Sequence, residues 1–258
     1  SFSYPDFENV EFLKDHVQKV LNFYRGSALD PSGGFFHGFQ DDGTLFDKDL
    51  RHIVSSCRFI FNFAGAYCRD GNPVDLALAE HGLRFLTSAH RMQDGFYAWE
   101  LKEGRVSDGT AMAYGHAFVL FAASHALQAG LTSARSVLDE VWLLLERHFW
   151  EPTQGAYLDE LSWSGREPDS YRGQNANMHM CEACLAAWKV TSEQKFLDRA
   201  KRLAEKFTLE LADLSGGLVW EHYSQNWLPD MDYHKDQPDD LFKPWGFQPG
   251  HQVEWARL

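Results

Sequence analysis

Basic charge is what this sequence most lacks. Its 258 residues hold 24 Lys and Arg against 37 Asp and Glu, a net charge of −13. An acidic chain without a basic stripe is poorly made to follow a phosphate backbone, so no nucleic-acid partner is expected. Long apolar runs are missing too, which excludes a helical membrane span. The opening residues, Ser1-Phe-Ser-Tyr-Pro-Asp6, have neither the basic nor the apolar segment of a secretory signal, so the expected location is the cytoplasm. Cysteine is scarce: four thiols make no disulfide framework at this length. Cys57 and Cys68 fall in apolar helical patterns. Cys181-Glu-Ala-Cys184 has C-x-x-C spacing but no second pair and no preceding strand, so buried thiols are expected rather than a redox or zinc centre.

Aromatic residues are plentiful at 15%, with nine Trp and twenty Phe. They fit either a large core or a pocket lined for sugar rings. A repeat is more informative. Gly-aromatic turns occur at Gly33-Gly-Phe-Phe-His37, Asp94-Gly-Phe-Tyr-Ala98, Gln154-Gly-Ala-Tyr-Leu158 and Gly216-Gly-Leu-Val-Trp220, about sixty residues apart. Between them, apolar residues at helical spacing predict helices over 7–24, 49–69, 73–91, 110–129, 134–149, 174–190 and 193–211. The segments 7–24, 73–91, 134–149 and 193–211 carry charge on one face, as an outer layer would. The others are apolar nearly all round and read as an inner layer. The expected fold is all-α: an (α/α)6 toroid of helical hairpins with short β-hairpins at one end, incomplete in this chain. Residues 1–258 are expected to form one domain.

Polar residues on inner helices are the candidates for chemistry, because such positions otherwise stay apolar. They are Arg51 and His52, Tyr114 and His116, Asn175 and His179, and His251 and Glu254, each set near the start of its helix. His251 and Glu254 follow a Pro-Gly break, three residues apart on one helical face. That pairing predicts a general acid/base with a carboxylate to orient it. The pattern His-x-x-Glu recurs at His179 and Glu182. Zincin spacing is absent and helical di-iron sites run in the opposite order, so no metal or other cofactor is expected.

Tyr171-Arg-Gly-Gln-Asn175-Ala-Asn-Met-His179-Met-Cys-Glu182, Pro229-Asp-Met-Asp-Tyr233 and Asp239-Asp-Leu-Phe-Lys243-Pro-Trp-Gly-Phe-Gln-Pro-Gly-His251-Gln-Val-Glu254-Trp resemble the N-acylglucosamine 2-epimerase superfamily. Pro-Gly-His-x-x-Glu-Trp is nearest its aldose–ketose isomerase branch. The resemblance implies an (α/α)6 barrel longer than this chain, lacking here its carboxy-terminal third with a second catalytic histidine. It also implies a monosaccharide substrate, interconversion of the mannose/fructose type through a cis-enediolate, and no cofactor. Catalytic roles fall to His251, Glu254 and His179, with substrate contacts from Arg51, Tyr114, His116, Asn175 and Lys243. Lys243 stands where relatives often carry Arg. Oligomeric state is left open. The alternatives are a sugar 2-epimerase (N-acylglucosamine or cellobiose type), a sulfoquinovose isomerase, a glycoside hydrolase using two of Asp108, Glu182, Glu221 and Glu254, and a non-catalytic sugar-binding scaffold.

Overall fold

The sixty-residue repeat is a backbone requirement. In the computed structural model, which describes residues 4–258, Gly34, Gly95, Gly155 and Gly217 hold φ of 72°, 87°, 70° and 87°. Side chains with a Cβ rarely enter that left-handed region. At Gly34 room is also short: a Cβ would sit 2.6 Å from the ring of Phe85.

Among the described residues the α-helices are α1 (Val10–Arg25), α2 (Ile53–Asp70), α3 (Pro73–Phe85), α4 (Ala113–Gln128), α5 (Ala134–Leu144), α6 (Gln174–Thr191), α7 (Gln194–Glu205) and α8 (Pro249–Arg257). Helices α3, α5 and α7 run on into π turns at Leu86–His90, Leu145–Phe149 and Lys206–Leu211, which accounts for the longer predicted segments. The break at Asp70-Gly-Asn-Pro73 works as its chemistry suggests. Gly71 closes α2 in the left-handed conformation, Asn72 accepts the Val74 N–H, and Pro73 fills the first helical position.

Helices α2, α4 and α6 stand side by side, each backed by α3, α5 or α7. Burial follows the predicted layers: α4 is buried on nearly every side, whereas α7 buries only Phe196, Ala200 and Leu203. One hydrophobic cluster runs from Ile53 to Trp255, and a smaller one gathers Leu21, Ala28, Phe35, Phe63 and Leu78. Short antiparallel strands immediately precede the inner helices: Leu50–His52 pairs with Glu100–Lys102, Ala111–Met112 with Glu160–Leu161, and Arg172–Gly173 with His222–Tyr223. They therefore gather at the end where α2, α4 and α6 begin.

Two sets of hydrogen bonds stitch each hairpin to its neighbours. The first N–H of an inner helix is taken by the carbonyl four residues after the next turn glycine: Ile53 by Trp99 (3.1 Å), Ala113 by Asp159 (2.7 Å) and Gln174 by Glu221 (3.1 Å). The fourth residue of α4, α6 and α8 then grips the turn itself. His116 Nε2 accepts from Tyr97 N–H (3.1 Å), Asn177 bonds both N–H and C=O of Tyr157 (2.8 and 3.0 Å), and Gln252 does the same to Val219 (3.1 and 2.8 Å). These groups would otherwise be orphaned inside the protein. Asn177→Ala strands two buried backbone groups and lowers the free energy of unfolding by about 2–4 kcal/mol. Urea unfolding checks this: the midpoint falls while the slope holds.

Candidate active site

Helix register decides which polar residues meet. Counted from their first residues, α2, α4, α6 and α8 carry Arg58, Phe118, His179 and Glu254 at the sixth position. These side chains form one layer: the Arg58 guanidinium lies 5.1 Å from the centre of the Phe118 ring, which lies 4.9 Å from His179. One turn deeper, the ninth position gives Phe61, Phe121, Glu182 and Arg257. Phe61 packs on Phe121 at 4.7 Å, and Arg257 donates to Glu182 at 2.7 Å. Tyr114 closes on His179 with ring centres 4.8 Å apart. Burial pushes its phenol pKa up; Arg58 opposes this, and Glu254 and Glu182 reinforce it.

His251 occupies the first turn of α8. Its Nδ1 lies 2.8 Å from Glu221 Oε1, and Glu221 is buried. A carboxylate only accepts, so Nδ1 carries the proton and Nε2 is left available for chemistry. Gln174, the fully buried first residue of α6, donates Nε2–H to both Glu221 oxygens (3.1 and 3.0 Å) and lies 2.9 Å from His251 Nδ1. The indole N–H of Trp255 donates to Gln174 Oε1 at 2.8 Å. Burial disfavours the imidazolium of His251, but the hydrogen bond and charge of Glu221, with Glu254 adding, outweigh it and raise its pKa above the ordinary 6.5.

His179 repeats the arrangement, with Nδ1 3.3 Å from Glu182 Oε2. Burial alone would raise the pKa of Glu182; hydrogen bonds from His179 and Arg257 hold it below the usual carboxylate range instead. Two imidazoles thus each have one nitrogen tied to a carboxylate. Asn175, on the same helix, keeps a buried side-chain oxygen with no partner among the described residues. At the start of α2, His52 packs edge-on to Trp99 at 4.2 Å and stacks on Phe242 at 5.6 Å. Its Nδ1 caps α2 by accepting the Val54 N–H.

Several expectations need correction. Glu254 is not the carboxylate that orients His251: among the described residues the carboxylate hydrogen-bonded to that imidazole is Glu221. The reason is that Gln252 fastens α8 to Val219, which brings the following Glu221 against the ring, while Glu254 sits in the layer of Arg58 and His179. Arg51 does not lie on a helix. It belongs to the strand Leu50–His52, where it pairs with Asp30 (2.8 Å) and donates to the carbonyls of Lys48 and Leu50. Arg172, two repeats on, makes the same bonds with Glu151, Asp169 and Tyr171. Both are struts. His116 is consumed as a fastener, donating from Nδ1 to Met112 and accepting at Nε2, with burial pushing its pKa down to about 4. Lys243 lies 4.1 Å from the centre of the Tyr171 ring and 3.7 Å from Glu160, and makes no hydrogen bond to His179 or His251 among the described residues. The sequence reading missed Arg58 and Gln174 and left Glu221 among spare carboxylates. The spacing from Ile53 to Arg58, equal to that from Gln174 to His179, was the available signal for Arg58.

Two of the four carboxylates weighed for glycoside hydrolysis are engaged elsewhere. Glu182 is engaged by His179 and Arg257, and Glu221 by His251 and Gln174.

The sequence pattern of the N-acylglucosamine 2-epimerase (GlcNAc 2-epimerase) family matches residues 34–258. A D-mannose isomerase from Marinomonas mediterranea is 49% identical over 257 residues, covering 99% of this chain and 65% of that protein. A crystal structure of a D-mannose isomerase superposes with a TM-score of 0.96 at 48% identity, over 99% of this chain and 66% of that one. Cellobiose 2-epimerase from Bacillus thermoamylovorans shares the fold, with a TM-score of 0.77 at 19% identity, 86% of this chain and 62% of that one. The chain therefore spans about two thirds of the length of the isomerases it matches. With the turn repeat, the layered helices and the block from Tyr171 to Trp255 all in agreement, the chain belongs to the N-acylglucosamine 2-epimerase family.

Proposed function

We propose that this protein is an aldose–ketose isomerase of the mannose/fructose type, acting on an open-chain monosaccharide without a cofactor. The observation that carries the reading is the His251–Glu221 pair, an imidazole whose Nδ1 is fixed by a buried carboxylate beside the layer of Arg58, His179 and Glu254. The names of the D-mannose isomerases it resembles at 48–49% identity support it.

In this reading His251 is the general acid/base, its Nε2 accepting or returning protons as the ring opens and the hydrogen moves between C2 and C1. Removal of the C2 proton makes the aldehyde oxygen an enediolate oxygen. Proton return to C1, with transfer of the O2 proton to O1, leaves the ketose. Donors set in advance stabilise that oxygen most effectively. The Arg58 guanidinium suits this task, which the sequence had suggested for Arg51, while His179, with Nδ1–H on Glu182, presents an accepting Nε2 to a sugar hydroxyl. Tyr114 and Asn175 offer hydrogen bonds to the remaining hydroxyls. The same reading completes the ring as an (α/α)6 toroid, forms one domain from 1–258 with further chain, and places the protein in the cytoplasm. Its four unpaired cysteines fit a reducing compartment.

Incubating the full-length protein with D-mannose tests the assignment. Fructose is the expected product. Glucose in its place would make the protein a 2-epimerase, and recovery of unchanged mannose without solvent deuterium at C1 or C2 would reject both.

A further inference from the structure

The acid/base assigned to His251 sits at one end of a hydrogen-bonded chain that the isomerase reading does not require: Trp255 Nε1 to Gln174 Oε1, Gln174 Nε2 to both oxygens of Glu221, and Glu221 Oε1 to His251 Nδ1. Gln174 is fully buried, Glu221 is 2% exposed and Trp255 is 6% exposed. We propose that Gln174 and Trp255 are positioning residues that fix the orientation of the Glu221 carboxylate and thereby hold His251 in the tautomer its chemistry needs. The inference rests on the reading of His251 as the general acid/base.

The physical case begins with Glu221. A carboxylate taken out of water tends to recover its proton unless donors address the charged form. Its donors here are His251 Nδ1–H and the Gln174 amide. The backbone carbonyl of Glu221 is occupied by Gln174 N–H, so one residue of α6 clamps both ends of Glu221. An amide serves as a donor only if its nitrogen faces the carboxylate. Flipping it would set Oε1 against the Glu221 oxygens. Trp255 prevents this, because indole is a donor only and must meet the amide oxygen. Trp255 is further locked by stacking on Phe207, with ring centres 5.8 Å apart and planes at 13°. It lies four residues after His251 on α8, so one helix supplies both the working imidazole and the group that sets its support.

Other charges act on the pair. Glu254 on α8 raises the pKa of His251, and the charge of Glu221 acts on His222 and Tyr223, the strand that follows it, and on Tyr171 before α6. None of these is altered by changing Trp255 or Gln174, which isolates the effect.

The test compares full-length wild type with Trp255→Phe, Gln174→Met and Gln174→Glu. Nitrogen-detected NMR of His251 gives tautomer and titration midpoint, and the pH profile of kcat runs alongside. Trp255→Phe keeps an aromatic ring against Phe207 but drops the donor. It and Gln174→Met move the His251 midpoint down by about 1 pH unit and mix its tautomers. Both lower kcat at least ~10-fold, with KM changed less. Gln174→Glu adds a second carboxylate and moves the midpoint up. Opposite directions in variants of similar shape cannot come from general loosening of the fold. If one variant does not fold, the sign in the other two decides. Unchanged midpoint and tautomer in all that fold, with His251→Ala inactive, would overturn the positioning role and leave the isomerase reading standing. Full activity in His251→Ala would remove the reading itself.

Discussion

His251→Ala lowers turnover of D-mannose by at least ~100-fold in the full-length protein, the loss expected when a general acid/base is removed. Because proton transfer belongs to the transition state, kcat and kcat/KM fall together and KM changes little. A rise in KM at unchanged kcat would instead make His251 a binding group. The structure makes this a clean substitution. The ring is partly exposed and lies in the first turn of α8, whereas the fastening of that helix runs through Gln252 and Trp255. A fold that still forms, with a lowered melting temperature because buried Glu221 loses its Nδ1–H donor, and lost turnover are therefore the expected pair of results. Deuterium from solvent into C1 or C2 of the recovered sugar, read by NMR, falls in parallel.

Much of the scaffold was legible in the sequence, for identifiable reasons. A left-handed residue in every hairpin demands glycine, so the repeat is written at Gly34, Gly95, Gly155 and Gly217. An inner helix apolar on nearly every face, such as α4, differs visibly from α7 with its charged outer side. The site was legible only in part. Sequence spacing reports which residues share a helix face, and that brought His179 and His251 forward. It does not report what the adjacent hairpin contributes. Glu221 reaches His251 from a loop thirty residues away, and nothing local distinguishes it from other carboxylates. The choice of Arg51 over Arg58 failed on one boundary: three residues of strand precede α2, so the helical face begins at Ile53, not at Asp49. His116 was misread because a buried imidazole that fastens a turn and one that binds a sugar look alike in sequence.

Glu221→Gln and Glu254→Gln separate the two carboxylates that bear on His251. Glutamine at 221 keeps the shape but removes the charge that fixes the Nδ1 proton. Turnover falls by up to about 10⁴-fold, on the pattern of acid/base histidines that lose their orienting carboxylate. The raised pKa of His251 returns toward or below 6.5, since burial then acts with less opposition. The acidic limb of kcat/KM, which reports the free base, moves to lower pH. Stability responds with a determined sign. A histidine whose folded pKa lies above its unfolded value adds stability that is full below about pH 6.5 and is lost as pH rises through the folded value. The stability gap between wild type and Glu221→Gln is accordingly widest near pH 5–6 and narrows above neutrality, which chemical unfolding at a series of pH values would trace. Glu254→Gln leaves the Nδ1 hydrogen bond in place and moves the acidic limb less. The reverse ranking, with Glu254→Gln shifting the pH profile and Glu221→Gln leaving it alone, would return the orienting role to Glu254.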